Sequence, residues 1–451
     1  KYHELKQMFK KEVLFKPYYF LMMKKIIHLF FPVIMLSLFS CHDTEAKHEM
    51  EEPDFDGFVK ISLQSQITGV QPMTGIVLWA DNAKRNTDAI SLEYSYMQYK
   101  DIVKEKGVYD WTPLEQILDA VASRKHQAII RFWYTYPGYE SAVPQYIREL
   151  PDYEETVALS EGKRTGFPDW RHPELQRFHK EFYQKFAERY DNDPRLAFLQ
   201  TGFGLWAEYH IYDGPRIMGQ TFPSKEFQAE FFRFMSETFK STPWSVSIDA
   251  ASSEYTPLEA DASLRNLKFG VFDDSFMHET HDEYNGKNWK ILGEKRYQTS
   301  PAGGEFGYYT KYDQEHVLDY PDGIHGRNFE GESKRFHITY MIGNNQPSYQ
   351  TMNRIKQASM LCGYRYEITD VRVKEDSTCV QIKNAGVAPI YYDAYVAVNG
   401  VRSESNLKDL QPGQSRWVGI PAGSTDMEIT IECDRLVSGQ KIEFDADVKG
   451  E

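Results

Sequence analysis

Between residues 73 and 360, short apolar runs alternate with amphipathic stretches, and no other feature restricts the fold as much. The runs lie at 75–79, 90–94, 128–133, 197–203, 245–249, 268–273, 299–304 and 337–342. Strands that alternate with helical crossovers build a parallel sheet. Eight such units over this length predict a closed (β/α)8 barrel, a TIM barrel, in preference to an open dinucleotide-binding sheet. The intervening helices carry their own punctuation. Thr112-Pro113 followed by Glu115 predicts a helix start with a capping box. Leu114, Ile117, Leu118 and Val121 then share one face. A second helix opens at His172-Pro173, stacks Phe178, Phe182 and Phe186 four residues apart, and stops at the breaker Asp191-Asn192-Asp193-Pro194.

After residue 362 the periodicity changes. Segments 364–373, 378–383, 390–398, 414–419, 427–432 and 441–448 alternate apolar and polar residues, separated by turn signals such as Asn399-Gly400, Pro412-Gly413 and Ser438-Gly439. Short strands without helices predict a C-terminal antiparallel β-sandwich over 363–451, beside a barrel domain over 73–360.

The N-terminal region reads differently. Lys24 and Lys25 precede an apolar run over 26–39 that is too short to make a good membrane span. Leu38-Phe39-Ser40-Cys41 matches a bacterial lipobox, which makes Cys41 the expected lipidation site. Translation is expected to start at Met22 or Met23. Residues 1–41 then comprise a spurious upstream stretch and a lipoprotein signal peptide, and 42–72 a tether and lead-in. This places the protein at the cell envelope, touching the membrane only through its lipid anchor. Export permits a disulfide; Cys379 and Cys433 either pair or stay as thiols, and no cysteine pair has metal-ligand spacing.

Composition narrows the partners. A formal net charge of −14 disfavours a phosphate backbone, so nucleic acid is not an expected partner. No phosphate-binding glycine motif is present, and no cofactor is expected. The aromatic fraction of 15% fits either a densely packed interior or a cleft lined with flat faces for sugar rings.

In such barrels the chemistry sits at the C-terminal strand ends. The sequence puts Glu93 at the end of the second strand and Arg131 and Tyr134 at the third. Trp206, Glu208 and His210 follow the fourth, Asp274 ends the sixth, and Glu305 lies among glycines at the seventh. Glu208 and Glu305 are the candidate catalytic pair, because cleaving a glycosidic bond needs one protonated and one ionised carboxyl. Glycines beside Glu305 suggest close approach of a sugar to the backbone. The others are candidate substrate contacts. Arg131 is open to two readings, as a ligand or as a structural partner of Glu93, and Asp274 to a role as a turn cap. His210 has no second histidine at metal spacing, so no metal is expected.

The run VYDWTPLEQILD from Val108, HQAIIRFW from His126 and Tyr136-Pro137-Gly138 resemble the second and third βα units of family 42-type β-galactosidases, and more broadly the retaining (β/α)8 glycosidases. With GLWAEYH from Gly204, the chain is similar to glycosidase-like lipoproteins of gut Bacteroidetes that pair a barrel with a C-terminal β domain. The resemblance implies Glu208 as acid/base and Glu305 as nucleophile. It departs at Ala207, where that clan usually carries an asparagine that binds the sugar 2-hydroxyl. Glu93 or Arg131 then takes that contact, or the chemistry differs, or catalysis is lost. The expected function is a glycoside hydrolase acting on an oligosaccharide or polysaccharide at the cell envelope. The alternative is a non-catalytic glycan-binding surface lipoprotein.

Overall fold

The computed structural model describes residues 54–424 and 426–451. Cys41, the signal-like segment and the first part of the expected tether lie outside the described residues. Eight parallel strands close a barrel in sequential order. They are β1 Gly75–Trp79, β2 Leu92–Gln98, β3 Gln127–Trp133, β4 Leu196–Gln200, β5 Trp244–Ser247, β6 Gly270–Phe276, β7 Ala302–Phe306 and β8 Tyr340–Ile342. β8 pairs with β1 in parallel, which closes the ring.

Local signals were met unevenly. The helix Pro173–Tyr190 opens as its sequence suggests, with His172 Nδ1 accepting from the Glu174 N–H at 3.1 Å. Phe182 in its middle is fully buried against Phe132 and Tyr99, with ring centroids 4.8 and 4.9 Å away. The capping box at Thr112 does not form. Asp110 Oδ1 accepts from the Thr112 N–H at 3.0 Å, and Glu115 is drawn to Arg189 and Arg195 at 2.9 and 2.8 Å. A two-cation site outcompetes a single backbone N–H for that carboxylate.

The C-terminal region is built from two sheets. The larger runs Ser415–Ile420, Ser377–Asn384, Tyr366–Lys374, Phe444–Val448 and Leu63–Ser65, with Val59–Lys60 also on Tyr366–Lys374. The smaller holds Val401–Asn406, Ala394–Val398 and Ile429–Cys433. Two features depart from expectation. Residues 59–65, read as tether, are strands of this domain, since Val59, Ile61 and Leu63 alternate with polar residues and Ile61 N–H bonds the Val371 carbonyl at 3.0 Å. Tyr366–Lys374 and Phe444–Val448 pair in parallel, against an otherwise antiparallel pattern. Cys379 and Cys433 sit in different sheets, and Cys362, Cys379 and Cys433 are all free thiols.

The β domain seals the N-terminal end of the barrel. Barrel residues Val77, Leu92, Ile129 and Phe198 form one apolar cluster with Tyr364, Ile390, Tyr391 and Tyr392. Arg435 donates to the carbonyls of Asp191 and Leu196 at 2.7 and 2.9 Å, and Tyr392 to that of Ala197. With that end closed, the opposite end carries the open mouth. Among the described residues no helix is long and apolar enough to cross a membrane.

Candidate active site

β4 stops at Gln200, and the chain folds into a hook over the next ten residues. The Glu208 carbonyl accepts from the Phe203 and Gly204 N–H groups at 3.2 and 2.8 Å, and the His210 carbonyl from the Leu205 N–H at 3.0 Å. A Cβ on Gly204 would lie 1.9 Å from the His210 oxygen, so the hook closes only with glycine there. Trp206 and Ala207 both take left-handed backbone angles, φ 61° and 56°. Each such residue costs about 1 kcal/mol or more, and strain of this kind gathers at functional sites. The hook holds the Glu208 carboxyl at the barrel mouth, where the residue is 8% exposed.

Beneath it Arg131 organises the floor. Its guanidinium, fully buried, donates to Asp274 Oδ2 at 2.7 Å, to the Tyr96 hydroxyl and the Trp206 carbonyl at 3.1 Å each, and through Nε to Gln200 Oε1 at 2.7 Å. It also lies 4.1 Å from the centre of the Phe272 ring, within cation–π range. Arg131 is therefore a structural keystone whose partner is Asp274, not Glu93. Asp274 has only one anchored oxygen: Oδ1 is buried without a hydrogen-bond partner, and the side chain is 10% exposed.

Glu305 lies on β7 beside Asp274 of β6, with the Tyr308 hydroxyl near its carboxyl. Burial, and then the charge of Asp274, push its carboxyl up to about 8, against Tyr308 and Arg131. Burial also holds Glu208 well above the usual carboxyl range, with His210 opposing and Asp274 and Asp249 reinforcing. Tyr96 ties the groups together. Burial raises its hydroxyl, Arg131 opposes, and the charges of Asp274, Glu208 and Glu305 all add to the rise. All three carboxyls thus lie within electrostatic reach of that hydroxyl.

His210 spans two carboxylates, with Nδ1 3.1 Å from Asp249 Oδ1 and Nε2 3.6 Å from Glu208 Oε2. Burial alone would lower this imidazole, but Asp249 and Glu208 raise it to about 9, so it is a cation at neutral pH. That cation outweighs the effect of burial on Asp249, whose carboxyl is lowered, and Tyr284 donates to it at 3.2 Å. Among the described residues, Glu208, His210 and Asp249 are also the group whose side-chain atoms could converge on a metal, all lying within 4.8 Å of one another. The sequence reading, which looked for a second histidine, did not consider this set. Here the imidazole pairs with Asp249 through Nδ1, while its buried Nε2 has no hydrogen-bond partner and lies near Glu208.

Two expected contacts lie elsewhere. Glu93 is fully buried on the outer face of β2, held by Arg124 at 2.6 Å and His126 at 2.8 Å. β2 extends to Gln98, so Tyr96, and not Glu93, reaches the mouth. Tyr134 points into the helical layer, its hydroxyl 2.8 Å from His179 Nδ1 and its ring 4.1 Å from Tyr99. Trp206 stays at the rim, partly buried against Tyr136 with ring centroids 4.1 Å apart. The glycines beside Glu305 serve packing. A Cβ on Gly303 would strike the Tyr340 ring at 2.4 Å, and Gly304, at φ 152°, lies against the backbone of Asp273. Ala207 is fully buried in a small cluster with Trp133 and Ala142, against which Tyr96 and Tyr136 pack. Neither residue expected to replace its missing contact is free to do so, because Glu93 is outside the cleft and the Arg131 donors are engaged.

No protein-family model matches the chain, and no curated protein matches it. Solved structures with similar folds do exist. Glycoside hydrolases are among them. The GH36 α-galactosidase of Geobacillus stearothermophilus, solved with raffinose, is 10% identical with a TM-score of 0.34, over 77% of this chain and 55% of that one. This chain thus spans about half the length of that enzyme. An α-amylase from Lactobacillus plantarum is 9% identical with a TM-score of 0.37, over 80% and 99% of the two chains. The α-galactosidase of Thermus thermophilus is 11% identical with a TM-score of 0.38, over 70% and 66%.

Proposed function

We propose that the protein is a glycoside hydrolase acting on a glycan at the cell envelope, with Glu208 as acid/base and Glu305 as the second carboxylate. The observation that carries this reading is that Glu208, Asp274 and Glu305 stand at the C-terminal ends of β4, β6 and β7, at the open end of the barrel, with Arg131 joining Asp274 to the Tyr96 hydroxyl. A general acid must keep its proton at working pH, and burial does this for Glu208. Its proton passes to the glycosidic oxygen as the bond to the anomeric carbon breaks. Glu305, once ionised, forms the new bond to that carbon. Water, deprotonated by Glu208, then releases the sugar. His210 stabilises Glu208 whenever it is ionised, and Arg131 fixes Asp274 and Tyr96 around the reacting atoms. Anchoring through a lipid on Cys41 completes the proposal; fatty-acid labelling that persists in Cys41→Ala would refute it.

One observation favours a second reading, a glycan-binding protein without turnover. Ala207 is fully buried, and the two residues expected to take over its sugar contact are engaged elsewhere, Glu93 with Arg124 and Arg131 with Asp274. Kinetics separate the two. On a panel of aryl and alkyl glycosides, Glu208→Gln should lose most turnover on poor leaving groups and much less on activated aryl glycosides, because the latter need little protonation. Glu305→Gln should lose both. Sugar binding without turnover, unaffected by either change, would leave the binding reading standing.

A further inference from the structure

The exposed aromatic surface lies at one end of the molecule. Among the described residues eight tyrosines are exposed, and no phenylalanine or tryptophan is. Each of the eight follows the end of a barrel strand and precedes the crossover helix that returns to the next one, which is the mouth side. None lies on the β domain or in the turns at the sealed end. Those nearest the carboxyls form two banks. After β3 and β4, Tyr139, 56% exposed, packs on Tyr136, and Tyr136 on Trp206, with ring centroids 5.2 and 4.1 Å apart. Trp206 Nε1 donates to the Tyr212 hydroxyl at 3.4 Å, and Tyr212 lies 5.2 Å from the ring of His210, the neighbour of Glu208. After β6 and β7, Tyr284 donates to Asp249 at 3.2 Å, Tyr308 stands near Glu305, and Tyr309, 59% exposed, packs on His278 with centroids 5.1 Å apart. One bank therefore adjoins Glu208 and the other Glu305.

Rings left in water at one place mark a surface that a ligand covers. Tyrosine suits a sugar in particular, because each has an apolar face and a hydroxyl edge. The two banks cannot serve one sugar unit. β3 and β7 stand opposite each other in the ring of eight strands, and strands of this spacing and tilt put their axes about 15 Å apart, wider than a single pyranose. Resting on the hydrolase reading, we infer that the substrate is a linear glycan that lies across the mouth from one bank to the other and is cut within its length. Successive units stack on Tyr139 and Tyr212 on one side and on Tyr309 on the other, and the bond between Glu208 and Glu305 is the one that breaks. An enzyme that trims chain ends needs a wall on one side of its carboxyls to stop the chain. Here both flanks continue outward as exposed rings, so the chain runs through.

The test uses the intact protein with cello-, xylo-, manno-, galacto- and malto-oligosaccharides of one to six units for calorimetric binding, and with their parent polysaccharides and nitrophenyl monosaccharides for turnover. For the chain type that fits, affinity should climb through at least three units and then level off. Tyr139→Ala and Tyr309→Ala should each weaken binding of the hexasaccharide, and kcat/KM on it, about 3- to 10-fold, the worth of one ring contact. Both should leave kcat/KM on the nitrophenyl monosaccharide unchanged, which a general loss of structure would not. Both side chains are exposed, so folding is not at stake. On the polysaccharide, viscosity should fall well ahead of the release of reducing ends. No panel member binding better than its monosaccharide overturns the inference, and so does a loss confined to one bank, or release of single units from a chain end. Turnover of nitrophenyl monosaccharides in those cases leaves the hydrolase reading intact. Length-dependent binding that both variants weaken, without any turnover, overturns the hydrolase reading and supports the bound chain across the mouth.

Discussion

Replacing Arg131 by methionine removes the cation on which the floor of the site is built while keeping the volume of its stem. The guanidinium is fully buried and satisfies four partners: Asp274, Tyr96, Gln200 and the Trp206 carbonyl. Its loss leaves Asp274 as a buried carboxylate with neither oxygen paired, and strands Gln200 Oε1. Breaking a buried pair from one side costs about 3–5 kcal/mol. The cost must depend on pH. Without Arg131, the folded-state value for Asp274 rises further above its unfolded value, so the carboxyl destabilises once pH passes the unfolded value. The deficit of Arg131→Met should therefore be largest at neutral pH and shrink toward pH 4, where Asp274 takes a proton in both states. Adding Asp274→Asn should recover part of the loss at neutral pH, because the orphaned charge is gone. Urea unfolding followed by tryptophan fluorescence at several pH values measures all three quantities. A loss below about 1 kcal/mol, or one that neither acid nor Asp274→Asn relieves, would show that the Arg131–Asp274 pair does not organise this site.

Other outcomes follow from the same geometry. His210→Asn removes a cation that opposes the rise of Glu208, so the basic limb of kcat/KM should move to higher pH; no movement or a fall would contradict the bridge. In the wild type, the acidic limb of kcat/KM should fall near pH 8, reporting Glu305 in the free site. Phe182→Ala empties the aromatic layer between the helix Pro173–Tyr190 and β3 and should cost about 3–5 kcal/mol in urea unfolding, with KM unchanged. Glu93→Gln should lower stability by breaking its pairs with Arg124 and His126, but leave the kinetics of the folded enzyme as they were.

The barrel was legible because each parallel strand is buried on both faces and so stands out as an apolar run between amphipathic helices. Side-chain direction was harder to read. Glu93 and Tyr134 failed by strand parity: in a strand one residue decides between the mouth and the outer layer. The end of β2 was placed four residues early, which hid Tyr96, although Leu92, Tyr94 and Tyr96 already alternate in the sequence. Asp249 closed an expected strand and was passed over, yet its position after β5 was itself the signal. Tyr308, three residues beyond Glu305, was equally visible and was not weighed. The pairing of Arg131 with Asp274 spans 143 residues and depends on barrel closure, so no local pattern announces it. Strands 59–65 were read as tether because they are short and stabilised only by partners some 300 residues or more downstream.

The central claim assigns the acid to Glu208 and the attacking carboxylate to Glu305. Azide rescue of Glu208→Ala on an activated aryl glycoside tests it most directly. If Glu305 forms a covalent intermediate and Glu208 is the acid/base, azide restores turnover and the product is a glycosyl azide of retained configuration. Absence of rescue in Glu208→Ala, with rescue instead in Glu305→Ala to give an azide of inverted configuration at undiminished Glu208→Ala activity, contradicts the assignment.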